Sequence, residues 1–272
     1  DFPPDAKTKP RLTTTEINST YSSRKIDSLV KEKVHSGVGI YHINQEMLKK
    51  INPDIILTQE LCEVCAVSFS EVKQAVRILD GDTKIISLEP TNISDILGNI
   101  KTVGEATGKA SEASSLASQL QQRIDKVKSV TKDVDFRPST LCLDWIDPLY
   151  AAGHWVPEMV EIAGGSDIFG SKGKNSTKIA WEKVIEIDPE RVIVMPCGFD
   201  IQNTLKEINS LKSLTNWNKI NAVRNSRAYV VDANSYFSRP GPRIITGLEI
   251  LAEIIQSDYF IDVAPPNSYS WI

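Results

Sequence analysis

Between Lys109 and Thr131 the apolar residues fall at Ala110, Ala113, Leu116, Ala117, Leu120, Ile124, Val127 and Val130, spaced by threes and fours. That spacing draws one continuous apolar stripe on a 3.6-residue helix, with Lys109, Glu112, Gln119, Gln122, Arg123, Lys126 and Lys128 on the solvated side. Gly108 just ahead suits the left-handed cap of a preceding helix. A helix over 109–131 holds 23 residues and reaches about 34 Å. Strand–helix patterns stand on both sides of it, so it reads as a rigid strut joining two lobes. An ordinary helix covering one large sheet is the alternative.

Ahead of this helix, Thr13–Ser23 shows no pattern and is expected as loop. Ile26, Leu29, Val30 and Val34 predict a short helix, Val38–Ile43 a β-like run, and Asn44 caps a helix over Gln45–Ile51. Pro53 ends that helix and Asp54–Thr58 is a buried strand of the parallel kind. A helix near Phe69–Leu79, a strand at Lys84–Leu88 and a helix capped by Thr91-Asn92 complete the first half. The second half repeats the plan: strand Thr140–Trp145, helix Val156–Ala163 closed by Gly164-Gly165, helix Trp181–Ile187, and strands Arg191–Met195 and Ala228–Val231. A last helix covers Pro242–Ile255 and an irregular tail runs from Pro265. The segments LKKINPDIILTQ and VIEIDPERVIVMP share one design: amphipathic helix, Asn/Asp-Pro stop, apolar strand. We therefore expect an α/β protein of two Rossmann-like lobes with parallel sheets, 1–108 and 132–272, joined by the 109–131 helix. Asp1-Phe2-Pro3-Pro4 reads like the middle of a domain, and we expect the first lobe to lack its opening strand and helix.

Composition narrows the function. A net charge of −4 over 272 residues offers no basic footprint for nucleic acid. No apolar run approaches the roughly 18 residues of a spanning helix. There is no nucleophile elbow, phosphate loop or zinc-protease helix, so neither catalysis nor a catalytic cofactor is expected. In parallel α/β sheets ligands bind beyond the carboxyl ends of strands. That edge would collect Gln59, Glu60, Cys62 and Cys65 from the first lobe, then Trp145, Asp147, Tyr150, His154 and Trp155 from the second. Cys197, Phe199, Tyr236, Phe237 and Arg239 follow from its later strands. These groups would line an aromatic interlobe cleft of the kind that takes small molecules, with Trp145 and Trp155 equally readable as core. Cys62 and Cys65 with Cys197 form a candidate metal set, although a lone C-x-x-C is weak evidence. Cys142, inside a strand, is expected to be buried and inert. His35 and His42 read as surface or structural residues.

The segments PDIILTQELCEVCAVS, DPLYAAGHWVPEMVEIAGG, WEKVIEIDPERVIVMPCGFD and YFSRPGPRIITGLEILAEI resemble the substrate-binding proteins of cobalamin and ferric-siderophore ABC importers, the cobalamin branch above all. The resemblance runs from about Asp1 to Phe260. It implies two lobes bridged by a long helix and a ligand held between them. It also implies delivery to a membrane permease by a monomer outside the cytoplasm. Tyr236 takes the place of the aromatic that packs on the corrin, Gln59 stands where a second aromatic is usual, and Glu71 matches an acidic permease-docking residue. The second docking position reads Ser238 instead. The reading is a non-catalytic binding protein for cobalamin or a related corrinoid. Its rivals are a ferric-siderophore receptor, for which Arg239 and Arg243 are the available cations, and an intracellular metal- or cofactor-handling protein. A free zinc or manganese receptor is disfavoured by having only three scattered histidines.

Overall fold

In the computed structural model, residues 3–18, 20–35, 39–59, 72, 75–77, 79 and 82–272 are described. The chain divides into two units, Asp1–Tyr21 with Lys25–Glu89 and Ser22–Arg24 with Pro90–Ile272. The protein is α/β, as its patterning implies.

In unit 1, β1 (Thr13–Thr15) pairs antiparallel with β2 (Tyr41–Ile43), Thr14 opposite His42. The loop expected over Thr13–Ser23 is thus corrected at its start. Three consecutive β-branched threonines suit an extended edge, but their partner lies far along the chain and leaves no local periodicity. Helix α1 covers Ser23–His35. Its first residues belong to unit 2, where Ser23 N and Oγ donate to Glu207 Oε2 (3.1 and 2.9 Å). Helix α2 (Gln45–Ile51) starts where Asn44 accepts from Met47 N (2.9 Å). It stops at Asn52, whose left-handed φ of 44° lets its N–H reach Leu48 O. Pro53 then hands the chain to β3 (Ile55–Thr58), parallel to β4 (Lys84–Ser87).

Unit 2 begins with α3 (Ile93–Ala106), capped by Asn92, whose Oδ1 accepts from Asp95 N. The Asp95 carboxylate accepts in turn from Thr91 N and Oγ (both 2.9 Å), and these bonds hold its pKa below the usual carboxylate value. Helix α4 covers Ala110–Thr131, within a residue of the expected span. Gly108 before it is left-handed (φ 70°). A β-carbon on Gly104 would lie 2.2 Å from the Ala113 side chain, so only glycine permits this close crossing of α3 and α4. The stripe of α4 is buried at Ala113, Ala117, Leu120, Ile124 and Val127. Its Arg123 forks onto Glu249 (2.6 and 2.9 Å) and Thr246 (2.9 Å).

The sheet of unit 2 has seven strands: β5 (Ser139–Trp145), β6 (Tyr150–Ala151), β7 (Ser166–Asp167), β8 (Thr177–Lys178), β9 (Arg191–Val194), β10 (Ala228–Val231) and β11 (Tyr269–Trp271). Their order is β11-β10-β9-β5-β6-β8, with β7 beside the start of β5. The β10-β9-β5 centre is parallel, as expected of apolar strands buried on both faces, and β7 joins it in parallel. The flanks differ: β11 pairs antiparallel with β10, β6 with β5 and β8 with β6, so the expected parallel sheet is a mixed one. The tail expected to be irregular supplies β11, held where Tyr269 donates to Glu253 (2.8 Å) and meets Tyr229 edge-on. Helices α5 (Val156–Ile162), α6 (Trp181–Ile187), α7 (Ile201–Lys212), α8 (Asn221–Arg224), α9 (Ala233–Tyr236) and α10 (Ile244–Ile255) belong to the same unit. The core gathers Leu141, Leu143, Val192, Val194 and Val230 from the strands with Trp181, Ile208 and Leu211 from the helices.

Candidate functional site

The carboxyl ends of β5, β9 and β10 bring three loops to one edge of unit 2. From β5, Trp145 keeps part of its surface and meets Phe199 edge-on, ring centroids 5.6 Å apart at 69°. Its Nε1 is buried without a hydrogen-bond partner. Asp147 pairs with Arg24 Nε at 2.7 Å, an exposed contact of small energetic weight. Tyr150, half-buried, opens β6.

His154 follows, in a left-handed conformation (φ 52°). Its backbone is fixed on both sides: its N–H donates to Lys174 O (2.6 Å) and its carbonyl accepts from Gly173 N (2.9 Å). A β-carbon on Gly153 would fall 2.3 Å from the Lys174 carbonyl, so the preceding glycine is what lets this strap lie flat. The imidazole lies tilted over Trp155, centroids 5.6 Å apart, and burial pushes its pKa below the usual histidine value.

The end of β9 supplies Cys197, exposed, and Phe199, buried against the sheet edge. The end of β10 supplies Asp232, whose side chain accepts from Ser235 N (2.9 Å) and so starts α9. Tyr236 ends that short helix half-buried, while Phe237 turns inward and is 3% exposed. The Phe237 carbonyl accepts from Trp155 Nε1 (2.9 Å), and Trp155 is itself 5% exposed. Arg239 is exposed and donates to Asn234 (2.8 Å). Ser238 Oγ accepts from Gly198 N (3.0 Å), which ties the β9 and β10 loops together.

Unit 2 thus gathers Trp145, Asp147, Tyr150, His154, Trp155, Phe199, Tyr236, Phe237, Arg239 and Cys197 at one sheet edge. Within that set the rings of Trp155, Phe199 and Phe237 face the interior. Gln59 is half-buried just past β3 in unit 1. Glu60, Cys62, Cys65 and Glu71 lie outside the described residues. Among the described residues no group of three or more His, Cys, Asp and Glu side chains is placed to hold a metal ion. Cys142 is buried within β5, and its thiol pKa is pushed well up by that burial. His35 and His42 are exposed. The sequence did not single out Ser176, which donates to Asp144 at this edge, and its signal is only a polar loop.

A sheet with a parallel centre that carries aromatic loops at its carboxyl edge suits binding without chemistry. Comparison with known families agrees: residues 42–235 match the model of the periplasmic binding protein family. The chain belongs to the periplasmic binding protein family. As a periplasmic binding protein it is an extracytoplasmic binding protein and not an enzyme, and it carries no catalytic cofactor. It is 26% identical over 236 residues to an uncharacterized ABC transporter substrate-binding lipoprotein, YvrC, of Bacillus subtilis (strain 168), covering 82% of this chain and 68% of that one. Solved structures that share its fold include two with a named ligand. Staphylococcus aureus IsdE, complexed with heme, superposes with a TM-score of 0.64 at 16% identity, over 79% of this chain and 81% of that chain. The vitamin B12 binding protein BtuF of Vibrio cholerae gives 0.61 at 15%, over 79% of each.

Proposed function

We propose that this periplasmic binding protein is the substrate-binding subunit of an ABC importer and that its cargo is cobalamin or a related corrinoid. Three things support the transport half: the family, the substrate-binding lipoprotein it is similar to, and a sheet edge built for a small molecule. The cargo half rests on one observation. Three of the partly open side chains at the carboxyl edge of unit 2 are large aromatics (Trp145, Tyr150 and Tyr236), and Phe199 and Trp155 back them from inside. A planar macrocycle presents a wide apolar face, and an aromatic ring stacked on it adds about 0.5–1.5 kcal/mol beyond the area buried.

A ferric-siderophore cargo is the second reading, favoured by exposed Arg239 beside Arg243 at the same edge. A metal-handling role for Cys62, Cys65 and Cys197 rests on sequence spacing and on the exposure of Cys197. Glu71 remains our candidate for docking to the permease.

The full chain titrated with cyanocobalamin should show saturable heat and a shifted corrin absorption band. Replacing Tyr236 by alanine should weaken that binding by roughly 1–3 kcal/mol, ten- to a hundredfold, and leave the unfolding midpoint nearly unchanged. Silence toward millimolar cyanocobalamin, with binding of a ferric siderophore, would transfer the assignment to the second reading.

A further inference from the structure

Among the described residues three buried side-chain polar atoms have no hydrogen-bond partner: Trp145 Nε1, His154 Nδ1 and Ser268 Oγ. All three sit at one edge of unit 2. Trp145 closes β5, His154 lies three residues past β6, and the Ser268 carbonyl accepts from Asp232 N just beyond β10. Buried orphans are rare in native proteins, because each forgoes the hydrogen bond it had with water. Two of them, on Trp145 and His154, belong to the candidate site and mark it as polar where the aromatic rings alone would make it greasy.

His154 is the orphan whose chemistry can be read. Its backbone is bonded on both sides, its ring lies on Trp155, and Trp155 is held by the Phe237 carbonyl, so the imidazole has a set orientation. One nitrogen, Nδ1, is shut in without an acceptor or donor. The other, Nε2, also has no described partner but is not shut in. A neutral imidazole carries one proton. A proton on Nδ1 would strand a donor in the interior, whereas a proton on Nε2 keeps the donor in contact with water. Orphaned N–H groups are the rarer kind, so the second tautomer is preferred. A nitrogen carrying that proton has no lone pair for a metal.

Resting on the corrinoid reading above, we propose that His154 meets the cargo as a fixed hydrogen-bond donor, through Nε2–H, and not as a ligand to its metal. The group it reads is a peripheral carbonyl oxygen, an amide on a corrin or a carboxylate on a porphyrin. The same geometry then selects cargo by its rim and leaves the metal face to other contacts.

The test uses the full chain labelled with ¹⁵N. The protein has three histidines, and His154→Asn, which tolerates the left-handed backbone, identifies the resonances. At neutral pH the free protein should show His154 with its proton on Nε2 and none on Nδ1. Saturation with cyanocobalamin, followed independently by absorbance, should shift the Nε2–H signal, and His154→Asn should bind about tenfold more weakly. A proton on Nδ1, a charged ring, or unmoved His154 signals at saturation overturns the proposal. So does a hemin complex whose Soret band is lost in His154→Asn. Failure of cyanocobalamin to bind overturns the cargo reading itself, and the free-protein spectrum separates that outcome from a wrong tautomer.

Discussion

Helix α2 with β3 and helix α6 with β9 are written in the same local code, and the fold treats them differently. Both helices end on an Asx residue in the left-handed conformation, Asn52 at φ 44° and Asp188 at φ 52°. In both, the cap N–H closes on a carbonyl four residues back, Leu48 or Val184. A proline follows in each, and a short apolar strand after it. Yet every residue of β9 is buried, whereas in β3 Leu57 is 42% exposed and its neighbours are only half-buried. β9 lies between β5 and β10 in a seven-stranded sheet, while the described partner of β3 is β4. The stop signal is a property of a few residues and transfers intact. Burial belongs to the layers around the strand and does not.

The largest effect should therefore separate the two strands. Ile193→Ala removes a fully buried side chain from the centre of the unit 2 sheet, and should cost about 2–5 kcal/mol. Leu57→Ala in β3 trims a side chain already exposed and should cost less than about 1 kcal/mol. All five tryptophans, from Trp145 to Trp271, lie in unit 2, so urea unfolding followed by fluorescence reports that unit alone. Amide exchange of β3 and β4 reports the other. Equal losses in the two strands would break the comparison.

This contrast also marks how far the sequence could be read. Helix α4, the Asx–Pro stops, the Asn44 and Asn92 caps and the apolar strands were legible, because each depends on residues within a turn or two; the burial expected of the strand at Asp54–Thr58, where β3 is only half-buried, was not. The β1–β2 pairing and β11 were not, since a three-residue strand is defined by a partner 28 or 40 positions away in register. Helix α7 was overlooked despite its Asp200 cap and its Ile201, Leu205, Ile208 and Leu211 spacing. At the candidate site the residue types were legible and their facing was not. Tyr236 and Phe237 are neighbours in one turn-rich segment, yet one ring stays partly open and the other is buried. The orphaned nitrogens of Trp145 and His154 are visible only once the atoms around them are placed.

A middle-sized effect should separate the two stops. Alanine at either Asx position must hold a left-handed φ, at a cost of about 1 kcal/mol. Asp188 does more than Asn52 in a way the geometry makes plain. Its carboxylate accepts from Asn221 N at 2.6 Å, starting α8, with Arg224 3.7 Å away. Losing that charged bond adds about 1–2 kcal/mol, so Asp188→Ala should cost roughly twice to three times what Asn52→Ala costs. Asp188→Asn keeps both the backbone preference and an acceptor, and should recover most of the difference in the same fluorescence assay.

The smallest effect concerns how the two helices begin. Asn44 caps α2 with its side chain, whereas α6 starts at Ala180, which is exposed, extended (φ −86°, ψ 136°) and offers no side-chain acceptor. That backbone is already the conformation an N-cap requires. Serine at 180 can therefore offer its hydroxyl to the N–H groups of the first turn, where Lys183 N otherwise donates only to the Ala180 carbonyl (3.1 Å), without moving the chain. Ala180→Ser should stabilise unit 2 by about 0.5–1 kcal/mol, and Asn44→Ala should destabilise α2 by a similar amount. The two changes have opposite signs because one helix holds what the other lacks. Slower amide exchange at Lys183 in Ala180→Ser, with faster exchange at Met47 in Asn44→Ala, is the expected pair of results. No change at Lys183 would mean that Trp181, anchored by its Nε1 to Thr215 O at 2.8 Å, already fixes the start of α6 through packing.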